Sequence, residues 1–258
     1  MKQPTNAPLL VQFSFCFNND KLESEISRYD AGEGIIMDIR NEKKEIRMKM
    51  ANIRSRISEA DRLEQSLVAS RLAEQEVLGP LRKLRGGRLN VFSYLSFRDE
   101  PVTNYLLNQC LQQGDRILAP RVISKDAMTL HEIHGEGDLA SGTWGILEPN
   151  ESTAIWPVSR YSEIDLVIVP GLAFDLNGGR IGFGAGYYDR FVKQLTDVCG
   201  NQGHTVMASL AFKESIVPVI PMEEHDFRLD MLFTVSGTLY MKESSETWLW
   251  TGLQNKKE

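Results

Sequence analysis

Ile164-Asp165-Leu166-Val167-Ile168-Val169 is an almost continuously apolar run, and Pro170-Gly171-Leu172-Ala173-Phe174-Asp175 leads from it into Gly179-Arg180-Ile181-Gly182-Phe183-Gly184-Ala185-Gly186-Tyr187-Tyr188-Asp189-Arg190. A short run of this kind is what a strand buried on both faces of a parallel sheet requires. Glycines at 182, 184 and 186 leave alternate backbone amides uncovered, an arginine precedes them, and a helical pattern from Tyr187 to Leu195 follows. Bare amides ahead of a helix suit a bound polyphosphate. Glycine clusters also make plain turns and let a helix approach a sheet, so the loop alone leaves both readings open. It matches neither G-x-x-x-x-G-K-[ST] nor G-x-G-x-x-G, where Tyr187 takes the place of the last glycine, and this disfavours an ordinary P-loop or dinucleotide fold.

Outward from this stretch, Leu89 to Leu95, Arg116 to Ala119, Ala127 to Ile133, Thr205 to Ala211 and Met231 to Val235 read as strands. Thr103 to Gln113 carries apolar residues at helical spacing and stops at Gly114. Glu42 to about Ile57 reads as a basic helix. Ser58-Glu59-Ala60-Asp61 resembles a capping box that opens a second helix, which runs to about Leu78 before Gly79-Pro80 breaks the pattern. Alternating strands and helices imply an α/β fold, with three α/β/α layers around a largely parallel sheet. Residues 1–40 lack sustained periodicity and read as an appendage, with Met37 as an alternative start. Residues 41–241 read as one α/β domain, and 242–258 as a polar tail interrupted by Trp248, Leu249 and Trp250.

With 258 residues, 42% hydrophobic and 25% charged, the chain has ordinary globular composition. A formal net charge of −6 argues against a general nucleic-acid binder, whose affinity comes from clustered Lys and Arg. Cys16, Cys110 and Cys199 are far apart and odd in number, so a disulfide framework or C-x-x-C metal pair is not expected and a reducing, cytoplasmic setting fits. The longest apolar stretch, Ala7 to Phe17, is too short to span a bilayer, and no membrane partner is expected. His131-Glu132-Ile133-His134 lacks the helical H-E-x-x-H form and reads as strand rather than as a zinc site, while Cys110 reads as a small buried hydrophobe.

The string from Pro170 to Arg190 resembles the signature of the 5-formyltetrahydrofolate cyclo-ligase family, also called methenyltetrahydrofolate synthetases. The likeness runs from about Glu42 to Val235. It passes through Lys43-Lys44-Glu45-Ile46-Arg47, Tyr94-Leu95-Ser96 with Asp99-Glu100 and Thr103, Gly142-Thr143-Trp144-Gly145-Ile146-Leu147-Glu148-Pro149, Pro221, Glu224-His225-Asp226 and Leu229-Asp230. It implies an enzyme that turns 5-formyltetrahydrofolate and MgATP into 5,10-methenyltetrahydrofolate, ADP and phosphate. The formyl oxygen takes the γ-phosphoryl group, nitrogen ten of the folate attacks the activated carbon, and phosphate leaves. Both nucleophiles belong to the substrate, so the protein has to align two ligands and offset charge, without Ser-His-Asp or Cys-His machinery.

Lys43 and Arg47 lie four apart and share a helix face, which read alone favours a solvated basic face. The resemblance gives them to ATP, together with Arg180, Ile181, Gly182, Phe183, Gly184, Ala185, Gly186, Tyr187 and Tyr188. Arg180 and Tyr187 stand nearest the chemistry in this reading, and a planar guanidinium can make paired charge-assisted bonds worth about 1.5–3 kcal/mol each. Asp189, also a favourable acid in a first helical turn, corresponds with Asp226 to the magnesium ligands. Glu100 corresponds to a pterin contact, its carboxylate able to accept from ring and amino N–H groups, with Leu95, Trp144 and Tyr187 around the flat ring. Two departures stand out: Ala185 where the family commonly has Gly or Lys, and Phe183 where some members have arginine. A monomer is expected. The alternatives are a family paralogue acting on another small molecule, and a non-catalytic folate- or nucleotide-binding module.

Overall fold

The structure is a computed structural model that describes residues 38–142, 145–200 and 205–241. Trp144, Trp248 and Trp250 lie outside the described residues, as do the appendage up to residue 37 and the tail from 242. Helix α1 (Ile39–Ser55) begins under Asp38, whose carboxylate accepts from the Arg40 amide at 3.2 Å. This helix therefore starts three residues ahead of Glu42, where the sequence reading began it. Helix α2 (Glu59–Ala73) opens on the expected cap, with the Ser58 hydroxyl accepting from the Asp61 amide at 3.1 Å. The expected break at Gly79-Pro80 does not occur. A π turn, Glu74–Leu78, carries the helix on into α3 (Gly79–Arg85), with the Gly79 amide reaching back five residues to the Glu74 carbonyl. The widened turn takes in a proline that has no N–H to give and whose ring would clash in a regular helix.

The remaining elements are β1 (Asn90–Ser93), α4 (Asn104–Gln112), β2 (Arg116–Ser124), β3 (Ala127–Ile133), β4 (Leu139–Ser141), β5 (Leu147–Pro149), β6 (Ile155–Trp156), β7 (Leu166–Ile168), β8 (Ala173–Phe174), β9 (Arg180–Ile181), α5 (Tyr187–Cys199), β10 (Val206–Leu210), β11 (Met231–Thr234) and β12 (Gly237–Tyr240). Eight strands form one sheet in the order β12-β11-β10-β7-β1-β2-β3-β6. Five adjacent strands, β11 to β2, are parallel, and the remaining pairings, β11–β12, β2–β3 and β3–β6, are antiparallel. Successive residues face opposite layers. Val91, Leu166, Ile168 and Ala208 pack with Ala69, Leu81 and Leu106 of α2, α3 and α4. Phe92, Val167, Met207 and Leu232 pack with Phe191 and Leu195 of α5. The three layers read from the sequence are thus present, and β7 is buried on both sides as its composition demands.

Two details position the site. Strand β1 pairs with β2 on one side and β7 on the other, so the strand order reverses there, and the carboxyl ends of β1 and β7 mark the switch point at which open α/β sheets take up ligands. Asp165, the polar residue of the apolar run, sets that pairing: its carboxylate accepts from the Asn90 amide at 2.9 Å, and its own amide donates to the Asn90 carbonyl at 2.9 Å. The glycine loop does not follow β7 directly, because the β8–β9 hairpin intervenes, pairing Ala173 with Ile181 and Phe174 with Arg180. Buried Asp175 ties down the hairpin turn by accepting from the Asn177, Gly179 and Ile220 amides.

Candidate functional site

A cavity of about 1160 Å³ opens where α1, the glycine loop, the first turn of α5 and the turn through Glu223 and Asp226 meet. Lys43, Arg47, Arg180, Ile181, Gly182, Phe183, Gly184, Ala185, Gly186, Tyr187, Tyr188, Asp189 and Asp226 all line it. The face shared by Lys43 and Arg47 is turned inward: Lys43 is 6% exposed, and the Arg47 Nε–H donates to the Gly182 carbonyl at 2.9 Å.

Lys43 and Arg180 are paired with carboxylates of the cavity. The Lys43 ammonium donates to Glu223 at 2.8 Å and more closely to Asp226, which also accepts from the Glu223 amide at 2.7 Å. Burial would depress the Lys43 pKa, but the bonds and charges of Asp226 and Glu223 outweigh it and hold it above the ordinary lysine value. Burial would likewise raise Asp226, and the Glu223 amide and Lys43 overcome it, so the carboxyl sits below its usual range. Arg180 donates to Asp189 at 2.7 Å and stacks on the Phe227 ring at 4.4 Å. Its side chain is 8% exposed, and burial pulls its pKa down against the pull of Asp189. Arg180 Nε is buried without a partner. A buried guanidinium with an unused N–H beside bare amides is the donor set an anionic oxygen needs.

Gly184 and Gly186 adopt φ of 97° and 70°, the left-handed region that side chains resist. At Gly186 a Cβ would also approach Arg190 Nη1 to 2.9 Å. Gly186→Ala is expected to cost about 1–2 kcal/mol of stability or of loop order. The check is a lower thermal midpoint or a several-fold higher KM for ATP; a variant unchanged in both would mean that the loop tolerates a side chain there. The Tyr187 hydroxyl donates to the Ser124 carbonyl at 2.9 Å, tying the tip of the β2–β3 hairpin to the loop. Tyr188 stacks on Phe92 with ring centroids 5.6 Å apart, and its hydroxyl is buried without a partner.

Of the expected folate side chains, Tyr187 lines this cavity and Leu95 and Glu100 do not, while Trp144 lies outside the described residues. Leu95 is half-buried against the core. Glu100, past the end of β1, accepts from the Phe97 amide at 3.0 Å. Burial pushes its carboxyl up to about 7; the Phe97 amide and the Arg54 charge pull down, and neighbouring Asp99 adds to the rise. Tyr94 and Tyr188 lie within reach of its charge.

Of the expected magnesium ligands, Asp226 belongs to a group with Glu223 and His225 whose ligand atoms lie within 4.8 Å of one another. Asp189 lines the same cavity, held by Arg180. His131 is committed elsewhere, both ring nitrogens meeting Thr129 or Thr153, and exposed His134 lies against Asp138. Cys110 is fully buried, as read.

Arg54 was not picked out by sequence reasoning. It is 3% exposed and grips Asp99 through Nε at 2.9 Å and Nη2 at 3.1 Å. The signal was present: Lys43, Arg47, Met50 and Arg54 follow a helical stripe, and a cation on the stripe that carries the apolar Met50 is turned inward rather than toward water.

A family model described as the 5-formyltetrahydrofolate cyclo-ligase family matches residues 39–235. The 5-formyltetrahydrofolate cyclo-ligase of Mus musculus is 30% identical over 196 residues, spanning 74% of this chain and 93% of the mouse protein. That of Escherichia coli K12 is 30% identical over 148 residues, 55% of this chain and 76% of its own. Among solved structures, the Aquifex aeolicus 5,10-methenyltetrahydrofolate synthetase aligns with a TM-score of 0.58 and 27% identity, covering 78% of this chain and 93% of that one.

Proposed function

The chain belongs to the 5-formyltetrahydrofolate cyclo-ligase family, and from that premise we propose how it converts 5-formyltetrahydrofolate and ATP to 5,10-methenyltetrahydrofolate, ADP and phosphate. The triphosphate lies along the amides of Gly182 to Gly186 with Lys43, Arg47 and Arg180 around it, and the pterin is held by Glu100 beyond β1. The formyl oxygen attacks the γ-phosphorus and ADP leaves. Nitrogen ten then attacks the formyl carbon, loses its proton as the ring closes, and the carbon–oxygen bond breaks to release phosphate. Arg180 faces the charge that develops on the transferred group, and the protein otherwise positions reactants that carry their own nucleophiles.

One observation carries this reading: Arg180 is buried beside the glycine loop with an N–H that no protein atom uses. The donor set also fits magnesium, which takes one or two carboxylates and completes its shell with phosphate and water. Asp226 and Asp189 would hold it, and it would supply positive charge at the phosphates. For both carboxylates to serve, Lys43 and Arg180 exchange them for phosphate oxygens. Among the described residues no helix is long and apolar enough to cross a membrane. A cytoplasmic monomer is part of the proposal and rests on the charge and cysteine usage.

Purified protein mixed with 5-formyltetrahydrofolate and MgATP is expected to develop the near-ultraviolet absorbance of the conjugated methenyl product. Absence of ATP-dependent growth would overturn the reading. In the same assay Lys43→Ala is expected to raise the KM for ATP at least about tenfold, since a charge-assisted phosphate contact is worth about 1.5–3 kcal/mol. An unchanged KM would return Lys43 to a purely structural role between Glu223 and Asp226.

A further inference from the structure

Four segments far apart in sequence converge on the guanidinium of Arg54. From α1 it donates to both oxygens of Asp99 and to the Gly171 carbonyl at 3.4 Å, and its Cζ lies 5.2 Å from the centroid of the Phe183 ring. Asp99 belongs to the turn after β1, Gly171 to the segment after β7, and Phe183 to the glycine loop. Asp99 and Gly171 thus follow the two strands that meet at the strand reversal. The turn that holds Glu100 is closed by two bonds, the Phe97 carbonyl accepting from the Glu100 amide at 3.1 Å and the Glu100 carboxylate accepting from the Phe97 amide at 3.0 Å. Arg98 at its corner adopts φ of 52°, a left-handed conformation that a residue with a side chain resists. The neighbour of that strained corner is the residue Arg54 grips. A paired fork on a carboxylate fixes orientation as well as distance, which a lysine would not do.

We propose that Arg54 is a positioning residue for the folate half of the site: by holding Asp99 and Gly171 while lying against the Phe183 ring, it fixes the Glu100 turn against the glycine loop and supplies the positive charge beside Glu100. The inference rests on the reading of Glu100 as the pterin carboxylate. Phe183 is 56% exposed and lines the cavity, so it is open to a ligand while Arg54 lies against its ring. The charged and titratable groups facing Glu100 are Arg54 from α1, Asp99 from its own turn, Tyr94 at the end of β1 and Tyr188 from α5. Arg54 favours the ionised carboxylate, and Asp99 opposes it.

That opposition gives a test that a merely structural lesion does not satisfy. The KM for 5-formyltetrahydrofolate, the KM for ATP and kcat are measured from pH 6 to 9 for wild type, Arg54→Met, Arg54→Lys and Asp99→Asn. Arg54→Met is expected to raise the folate KM about tenfold, the loss of one charge-assisted contact, and to leave the ATP KM within about twofold. The pH limb of kcat/KM for folate should move upward in Arg54→Met and downward in Asp99→Asn, although both variants break the same ion pair. Arg54→Lys should return the limb toward the wild-type pH while recovering only part of the affinity. Equal rises in both KM values with an unmoved limb, or shifts of the same sign in the two charge-removing variants, overturn the proposal. Should Arg54→Met fail to fold, the opposite displacements of Arg54→Lys and Asp99→Asn relative to wild type decide: Asp99→Asn downward supports it, and no displacement refutes it. Wild-type protein with no ATP-dependent product would instead remove the underlying reading of the site.

Discussion

Arg180→Ala is expected to lower kcat by about 10³-fold, within the range for losing a preorganised donor to a transferring phosphoryl group. The expectation follows from where the guanidinium sits. It is nearly sealed from water, paired with Asp189 through one nitrogen, and carries a further buried N–H without a protein acceptor. Charge held in such a setting acts through a low dielectric and needs no rearrangement when the phosphoryl group moves. Arg180→Lys keeps the charge, but one ammonium cannot reproduce the paired planar donors that a guanidinium offers a phosphate, so less than about a tenth of the lost rate should return. Single-turnover kinetics separate this from an ATP-binding defect. If kcat survived and only the KM for ATP rose, Arg180 would be a ground-state contact.

Glu100→Gln is expected to produce two opposite effects in one variant. The pterin N–H groups lose an ionised acceptor and meet an amide that can offer a donor instead, so the folate KM should rise by about tenfold to a hundredfold. The protein itself should gain stability at alkaline pH. Burial raises the Glu100 carboxyl from 4.5 to about 7 in the folded chain. Between these values the folded protein holds a proton that the unfolded chain has released. The contribution is therefore complete below about pH 4.5 and is lost as pH rises through about 7, amounting to a loss on the order of 3 kcal/mol. Glutamine removes this loss. Urea midpoints at pH 5 and pH 8 check the sign: the variant should exceed wild type at pH 8 and approach it at pH 5. A midpoint lowered equally at both would mean that Glu100 is a structural acceptor, with nothing held in reserve for a ligand.

The parts of this fold that were legible in the sequence are those in which burial imposes composition. Strands β7 and β10 could be recognised because every residue in them is buried, and Ser58 announced α2 because a helix start needs an acceptor for its free amides. The short pairs β4–β5 and β8–β9 escaped because two- or three-residue strands leave no period to detect. Gly79-Pro80 misled because a π turn is a tertiary accommodation, invisible to local propensity. At the site, the glycine loop and the face of Lys43 and Arg47 meet in one cavity. The link between the two ligand sides did not emerge, because Arg54 meets Asp99 across 45 residues and Gly171 across 117. The role of Glu223 as a second partner for Lys43 is equally a product of folding, joining residues 180 positions apart.

The adjacency of β1 and β7, fixed where Asn90 meets Asp165 across 75 residues, bears on how the protein is made. A nascent chain that has released β1, α4 and the β2–β3 hairpin has no neighbour for the other side of β1, so its innermost strand waits exposed at an edge until the segment beyond Asp165 leaves the ribosome. Glu100 and Arg54 emerge early; the loop they must face emerges late. Neither substrate can shore up the first half during synthesis, and the long-range pairing makes folding slow relative to a helical protein of this size. A chaperone that shields apolar strand edges would be expected to act in that interval, and truncations ending before β7 should aggregate rather than retain partial ligand binding.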